Sequence, residues 1–273
     1  MLTLRRERCQ LETNAKISYV LNPIIEFRHV EYQISTNSAR RMILSGISLE
    51  IHGGETIALL GRSGSGKTSL LKLINGLRQS SAGTIFVEGR DLSDWDPIRL
   101  RRGIGYVIQE IGLFPHLTVR ENVCLVPTLE SWPADRLSSR YIEVMQAVGL
   151  APAEFSSRFP RELSGGQRQR VGVARALAAD PKILLMDEPF GAVDPVTRAE
   201  LQREFLSLAR RMAKTVVLVT HDVREALLLA TRIVLLDRGQ IVAEASPDQF
   251  VRLDSPIARE FLAAAELNAG ARA

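Results

Sequence analysis

Thr56-Ile57-Ala58-Leu59-Leu60 runs without a break into Gly61-Arg62-Ser63-Gly64-Ser65-Gly66-Lys67-Thr68, and Ser69-Leu70-Leu71-Lys72-Leu73-Ile74 follows. The first five residues read as a short buried strand, and the last six have helical spacing. Between them, eight residues fit the pattern G-x-x-x-x-G-K-[ST] in the strand-to-helix setting that phosphate binding requires. Glycines let the backbone bend until its N–H groups point inward, and the helix N-terminus adds partial positive charge. Lys67 is placed to reach terminal phosphates, and Thr68 offers a hydroxyl to Mg²⁺. At average residue usage a chance match in a chain this long is roughly a one per cent event, so a plain flexible turn is the weaker reading.

Working outward, Ile25 to Tyr32 alternates apolar and polar residues, and so does Ile43 to Ile51, which predicts two strands around a polar loop. Further strands are expected at Ile104–Ile108, Ile183–Met186, Val216–Val219 and Ile233–Leu236, with helices at Gln167–Ala179, Thr197–Met212 and Val223–Ala230. Buried strands alternating with helices predict a mainly parallel sheet covered on both faces. From about Gly112 to Pro160 that rhythm breaks, with helical patterns at Val119–Leu125 and Asp135–Val148 and no strand pattern, so a helical insertion is expected. Residues 1–22 show no periodicity and read as a disordered leader; the stretch from Ala263 to Ala273 reads as a frayed end.

The chain has 273 residues, 45% hydrophobic and 24% charged, enough for one large domain or two small ones. Its 35 basic and 31 acidic residues leave a net charge of +4, a small excess that suits a nucleotide binder and does not argue for nucleic acid. Cys9 and Cys124 stand far apart in no metal-ligand spacing, which speaks against a disulfide framework or a zinc site. No apolar run approaches the roughly 20 residues of a membrane helix, and the start lacks a signal peptide's apolar segment.

Ile183-Leu184-Leu185-Met186-Asp187-Glu188 is an apolar strand that delivers two carboxylates at its C-terminal end, where ligands of open α/β sheets bind. Asp187 suits Mg²⁺, and Glu188, one residue on, suits polarising an attacking water. Leu163-Ser164-Gly165-Gly166-Gln167 then precedes a helix, as a cap and as a set of N–H donors for an anion. With these three elements in order, the sequence from about Ile24 to Val251 closely resembles the ATP-binding cassette family, whose signature is that last segment.

The resemblance implies a P-loop NTPase α/β core with a mainly parallel sheet, an N-terminal antiparallel β subdomain and a helical subdomain at about 112–175. It spans residues 23–255, with 256–273 as a short tail. It also implies ATP and Mg²⁺ as ligands and two cassettes that sandwich two nucleotides, each signature segment capping the γ-phosphate on the partner's loop. Matched position by position, Tyr32 stacks on adenine, Gln109 contacts Mg²⁺, Asp194 lies at the dimer seam, and His221 touches the γ-phosphate beside Glu188 as catalytic residue. Phosphate binding falls to Gly61 through Thr68 and to Ser164, Gly165, Gly166 and Gln167, with Thr68, Gln109 and Asp187 at the metal.

Within the family, the segments Ile104–Val119 and Met186–Pro195 look like those of bacterial importers of glycine betaine, choline or carnitine. Sulfonate and nitrate importers share Phe190-Gly191-Ala192 and are the nearest alternative; a non-transport cassette in DNA repair or translation, or a P-loop kinase, fits less well. The resemblance implies membrane permease subunits, a second cassette and, indirectly, a solute-binding protein as partners, at the cytoplasmic face of the cell membrane. Ile111, Leu113 and Phe114 fall where the family receives its membrane subunit, or else in the helical subdomain's core. The long regulatory extension of many osmoprotectant cassettes is not expected after Phe261.

Overall fold

A computed structural model describes residues 22–36, 39–109, 112–191 and 193–270. In chain order come β1 (Ile25–Thr36), β2 (Ala39–Ile51), β3 (Thr56–Leu60), α1 (Lys67–Ile74), β4 (Ala82–Val87), β5 (Arg90–Asp91), α2 (Pro97–Gly103) and β6 (Ile104–Val107). Then follow α3 (Val119–Leu129), α4 (Ala134–Ala147), α5 (Pro152–Phe155) and α6 (Gly165–Ala178). Alternation resumes with β7 (Ile183–Asp187), α7 (Pro195–Met212), β8 (Thr215–Thr220), α8 (Val223–Leu229), β9 (Arg232–Asp237) and β10 (Gln240–Ala245), before α9 (Pro247–Phe250) and α10 (Pro256–Gly270).

Two sheets result. One is antiparallel, in the order β2-β1-β4-β5; the other runs β10-β9-β3-β8-β7-β6, with parallel pairing from β9 to β6 and β10 antiparallel at the edge. Every residue of β3, β7 and β8 is buried, as expected of continuous apolar strands covered on both faces. One core lies between the two sheets and holds Phe27, Tyr32, Leu44, Leu70, Leu71 and Leu236. A second joins the sheet to the helical region through Tyr141, Met145, Phe190 and Phe205. A third packs α8, α9 and α10 on the sheet through Ala58, Leu60, Val223, Ile233 and Phe250.

Strand register decides where the chemistry goes. Leu60 pairs with Thr220, and Asp187 pairs with Val219, so β3, β8 and β7 end together at one edge. Gly61, His221 and Glu188 are therefore the residues that leave three adjacent strands side by side.

Among the described residues, the interval between β6 and β7 carries helices and no strand, as the broken periodicity predicts. One expectation changes. The stretch expected as a frayed tail is instead the helix α10 up to Gly270, because Ile257, Phe261, Leu262 and Ala265 form one apolar stripe against the third core. Strands β4, β5 and β10 and helix α2 extend the reading of the sequence. The expected leader, residues 1–21 of it, and Ile111 lie outside the described residues.

Candidate functional site

The phosphate loop has no room for a side chain at Gly61 or Gly66. Gly66 has φ +104°, and a Cβ there would sit 2.5 Å from Leu44 Cδ2 and 3.1 Å from the Ile43 carbonyl oxygen. A Cβ on Gly61 would sit 2.3 Å from the carbonyl oxygen of Leu236 at the end of β9. Gly66 caps α1 with no side-chain hydrogen bond and no acidic residue in the first turn, which leaves the helix's leading N–H groups to an outside anion. Ser65, 4% exposed, has a buried hydroxyl without a partner in the same loop.

Lys67 is 5% exposed and folds back, its ammonium donating to the carbonyls of Gly61 at 2.7 Å and Arg62 at 2.9 Å. Two of its three protons are thereby used, and one remains for a ligand. Burial pushes its pKa below the ordinary lysine value, while the charges of Glu188 and Asp187 pull the other way. Arg62 turns its side chain out of the loop to pair with Glu260 on α10.

Thr68 donates its hydroxyl to Asp187 Oδ1 at 2.9 Å, which joins the start of α1 to the end of β7. Burial holds the Asp187 carboxyl above the usual carboxylate range, against the hydrogen bond from Thr68 and the charge of Lys72. A hydroxyl and a carboxylate converging beside a phosphate cradle are hard oxygen donors, the set that Mg²⁺ takes together with nucleotide phosphates. The residues present fit that ion.

Glu188 sits in the left-handed region at φ +46°, a conformation that costs a non-glycine residue energy. Its N–H is fixed by the Val219 carbonyl at 3.0 Å, and its carboxylate is held from two sides. His221 Nδ1 lies 3.2 Å from Oε1, and Gln109 Nε2 donates to Oε2 at 3.1 Å. With one strand-end carboxylate clamped this way, Gln109, Glu188 and His221 form the wall opposite Ser63, Gly64, Gly66, Lys67 and Thr68 across an open cleft of about 670 Å³.

The remaining predicted residues gather elsewhere. Ser164 caps α6 in a capping box with Gln167, at 3.2 Å from its hydroxyl to the Gln167 N–H and 2.9 Å for the return bond. A Cβ on Gly166 would meet Thr197 Cγ2 at 2.8 Å, so the start of α6 lies against the first turn of α7. Asp194 caps that turn through the Thr197 N–H at 3.1 Å, a bond that also lowers its pKa. None of Ser164 to Gln167, nor Asp194, lines the cleft.

Tyr32 is corrected. It is 6% exposed in the core between the sheets, paired with Leu44, and it is not among the cleft residues. Irregular pairing of β1 with β2 turns both Val30 and Tyr32 inward. The cleft wall on that side is made by Arg41 and Ile43 of β2. Sequence reasoning missed both, because only the hairpin pairing brings β2 to the phosphate loop.

Residues 44–191 match the family model described as ABC transporter. The chain is 52% identical over 209 residues to the glycine betaine/carnitine/choline transport ATP-binding protein OpuCA of Bacillus subtilis, covering 77% of this chain and 55% of OpuCA. It is 44% identical over 245 residues to the glycine betaine uptake system ATP-binding protein YehX of Escherichia coli, covering 89% of this chain and 78% of YehX. The chain thus spans just over half the length of OpuCA. Among solved structures, the ATP-binding cassette MJ0796, a dimer in a post-hydrolysis state with ADP and Pi, superposes with a TM-score of 0.74 at 32% identity, over 82% of this chain and 98% of that one. With the family model on more than half its residues and the phosphate loop, strand-end carboxylates and capped signature helix in their places, the chain belongs to the ABC transporter family.

Proposed function

We propose that this chain is the ATP-hydrolysing subunit of a bacterial ABC importer for a small osmoprotectant such as glycine betaine, choline or carnitine. The observation that carries the hydrolytic part is Glu188, clamped by His221 and Gln109 across the cleft from Lys67 and Thr68. In this role Lys67 and the leading N–H groups of α1 hold the terminal phosphates of ATP. Glu188 accepts a proton from the water that attacks the γ-phosphate, and His221 and Gln109 hold its carboxylate at the cleft mouth. Mg²⁺, when bound, neutralises phosphate charge, and Thr68, Asp187 and Gln109 would hold it.

Ser164 to Gln167 and Asp194 lie away from the cleft, which supports a second cassette, each capping the nucleotide on the other's loop; the dimer of MJ0796 supports the same reading. No helix of the described residues is long and apolar enough to cross a membrane. In the proposed role the chain attaches through permease subunits at the cytoplasmic face, a reading that its transporter relatives support. Leu113 packs into the helical core, while Phe114 is 42% exposed, edge-on to His116, and offers the permease an apolar contact. The solute is read outside the cassette, through a solute-binding protein. Names of relatives at 44% to 52% identity support osmoprotectants over sulfonates.

Cells lacking the gene should lose uptake of labelled betaine, choline or carnitine and keep that of taurine. Loss of taurine uptake alone would move the assignment to the sulfonate type. In the assembled complex, Glu188→Gln should cut ATP turnover by about 100-fold or more while nucleotide still binds. Wild-type turnover would remove Glu188 from its role.

A further inference from the structure

We propose that Glu225 is a positioning residue for His221, acting through Thr220 to hold the turn that presents the histidine to Glu188. Glu225 lies on α8, 6% exposed, and takes no part in the cleft. The Thr220 hydroxyl donates to Glu225 Oε2 at 2.5 Å, and the same hydroxyl accepts the N–H of Asp222 at 3.0 Å. One hydroxyl thus ties together the residues on either side of His221, and the buried carboxylate fixes that hydroxyl's direction. His221 itself is 63% exposed along its side chain, so little packing holds it. What orients it is the turn.

The Glu225 carboxyl also has the Gln202 side chain as a hydrogen-bond partner, and Nε of Arg198 is buried without a partner. Glu225 and Arg198 line a cavity of about 60 Å³ together with Glu188, Gly191, Thr220, His221 and Asp222. Arg198 donates to the Val193 carbonyl at 3.0 Å and so holds the loop that runs from Glu188 toward Asp194. A polar cavity of that size links the His221 turn to that loop. Burial pushes the Glu225 carboxyl up to about 7, Asp222 adding to the rise and Thr220, Arg198 and Gln202 opposing it. A carboxyl in that condition suits a fixed hydrogen-bonding post behind the catalytic pair.

This inference rests on the hydrolytic reading above, and a double-mutant cycle separates the two. ATP kcat and KM would be measured on the full chain assembled with its permease partners, for wild type, Glu225→Ala, His221→Ala and the double variant. Glu225→Ala should lower kcat about tenfold or more with KM within about twofold, and the double variant should be no slower than His221→Ala alone. Glu225→Gln, whose amide oxygen still accepts from Thr220, should recover most of the lost turnover. Losses that multiply in the double variant, or a matching loss from Glu225→Gln, would overturn the positioning role. If Glu225→Ala does not fold, Thr220→Val against Thr220→Ser cuts and restores the same link: equal rates in these two overturn it as well. A wild type without turnover fails the hydrolytic reading instead.

Discussion

Lys67 spends two protons on its own loop, so the third is the one a phosphate competes for. Lys67→Ala should weaken ATP binding by about 10- to 100-fold, the worth of a hydrogen bond to a charged group, as read by calorimetric titration. An unchanged affinity would contradict the role given to the lysine. Glu225 yields a second prediction, of stability. Its pKa is raised to about 7 from an ordinary 4.5, so the stability it lends is full below about pH 4.5 and is lost as pH rises through 7. Glu225→Gln should then gain on wild type between pH 5 and pH 8 by up to about 3 kcal/mol, measured by denaturant unfolding at each pH. A difference that stays flat with pH would contradict a buried, raised carboxyl. Lys67, Thr68, Asp187, Glu188 and His221 were all legible in the sequence, since each lies in a motif that follows or closes a strand: the loop after β3, the end of β7 and the residue after β8. The inward turn of Tyr32 was not, because which face of a long strand turns inward depends on its irregular pairing, and local alternation does not report that.

At the scale of elements, the strands that build the site were the easiest to read. β3, β7 and β8 are buried throughout with apolar interiors, and turn and helix signals follow them. β4 and β10 were missed because each borders other structure with half-exposed residues, and α10 because small residues suit helices and loose ends alike until Phe261 and Leu262 find a core. The phosphate loop joins these scales, since its glycines serve packing as well as ligand. Gly66→Ala would push a Cβ against Leu44 and the Ile43 carbonyl in a backbone region that L-residues avoid. It should cost about 1 to 3 kcal/mol and lower the melting temperature by several degrees even without nucleotide. Gly64, where a Cβ meets nothing within 4 Å, should tolerate alanine better despite its φ of +79°. Equal melting temperatures for the two variants would show that the crowding at Gly66 relaxes at no cost.

For the whole molecule, one chain carries the two halves of a site at separate places: Lys67 at the cleft and the Ser164–Gln167 cap at the start of α6. If each cap completes the partner's cleft, damage to one half in one chain is complementable by damage to the other half in its partner. Gly165 suits the test, because a Cβ there meets nothing within 4 Å and an acidic residue in the first turn of a helix is stabilising. Gly165→Asp should fold, yet it would place a carboxylate against the γ-phosphate bound by the other chain. Alone, Gly165→Asp and Lys67→Ala should each be inactive. Mixed in equal amounts and allowed to exchange, half of the dimers pair the two variants, and each such dimer has one intact composite site and one doubly damaged site. About a quarter of wild-type sites, and a comparable share of ATP turnover if sites act singly, should return. Recovery of that size requires both halves to meet across an interface of two copies. No recovery after verified exchange would mean either that the two nucleotide sites must fire together or that the cap serves its own chain. Single-turnover hydrolysis by the mixture separates these, because a site that needs its twin only for cycling still hydrolyses once, and a cap that serves its own chain leaves no competent site at all.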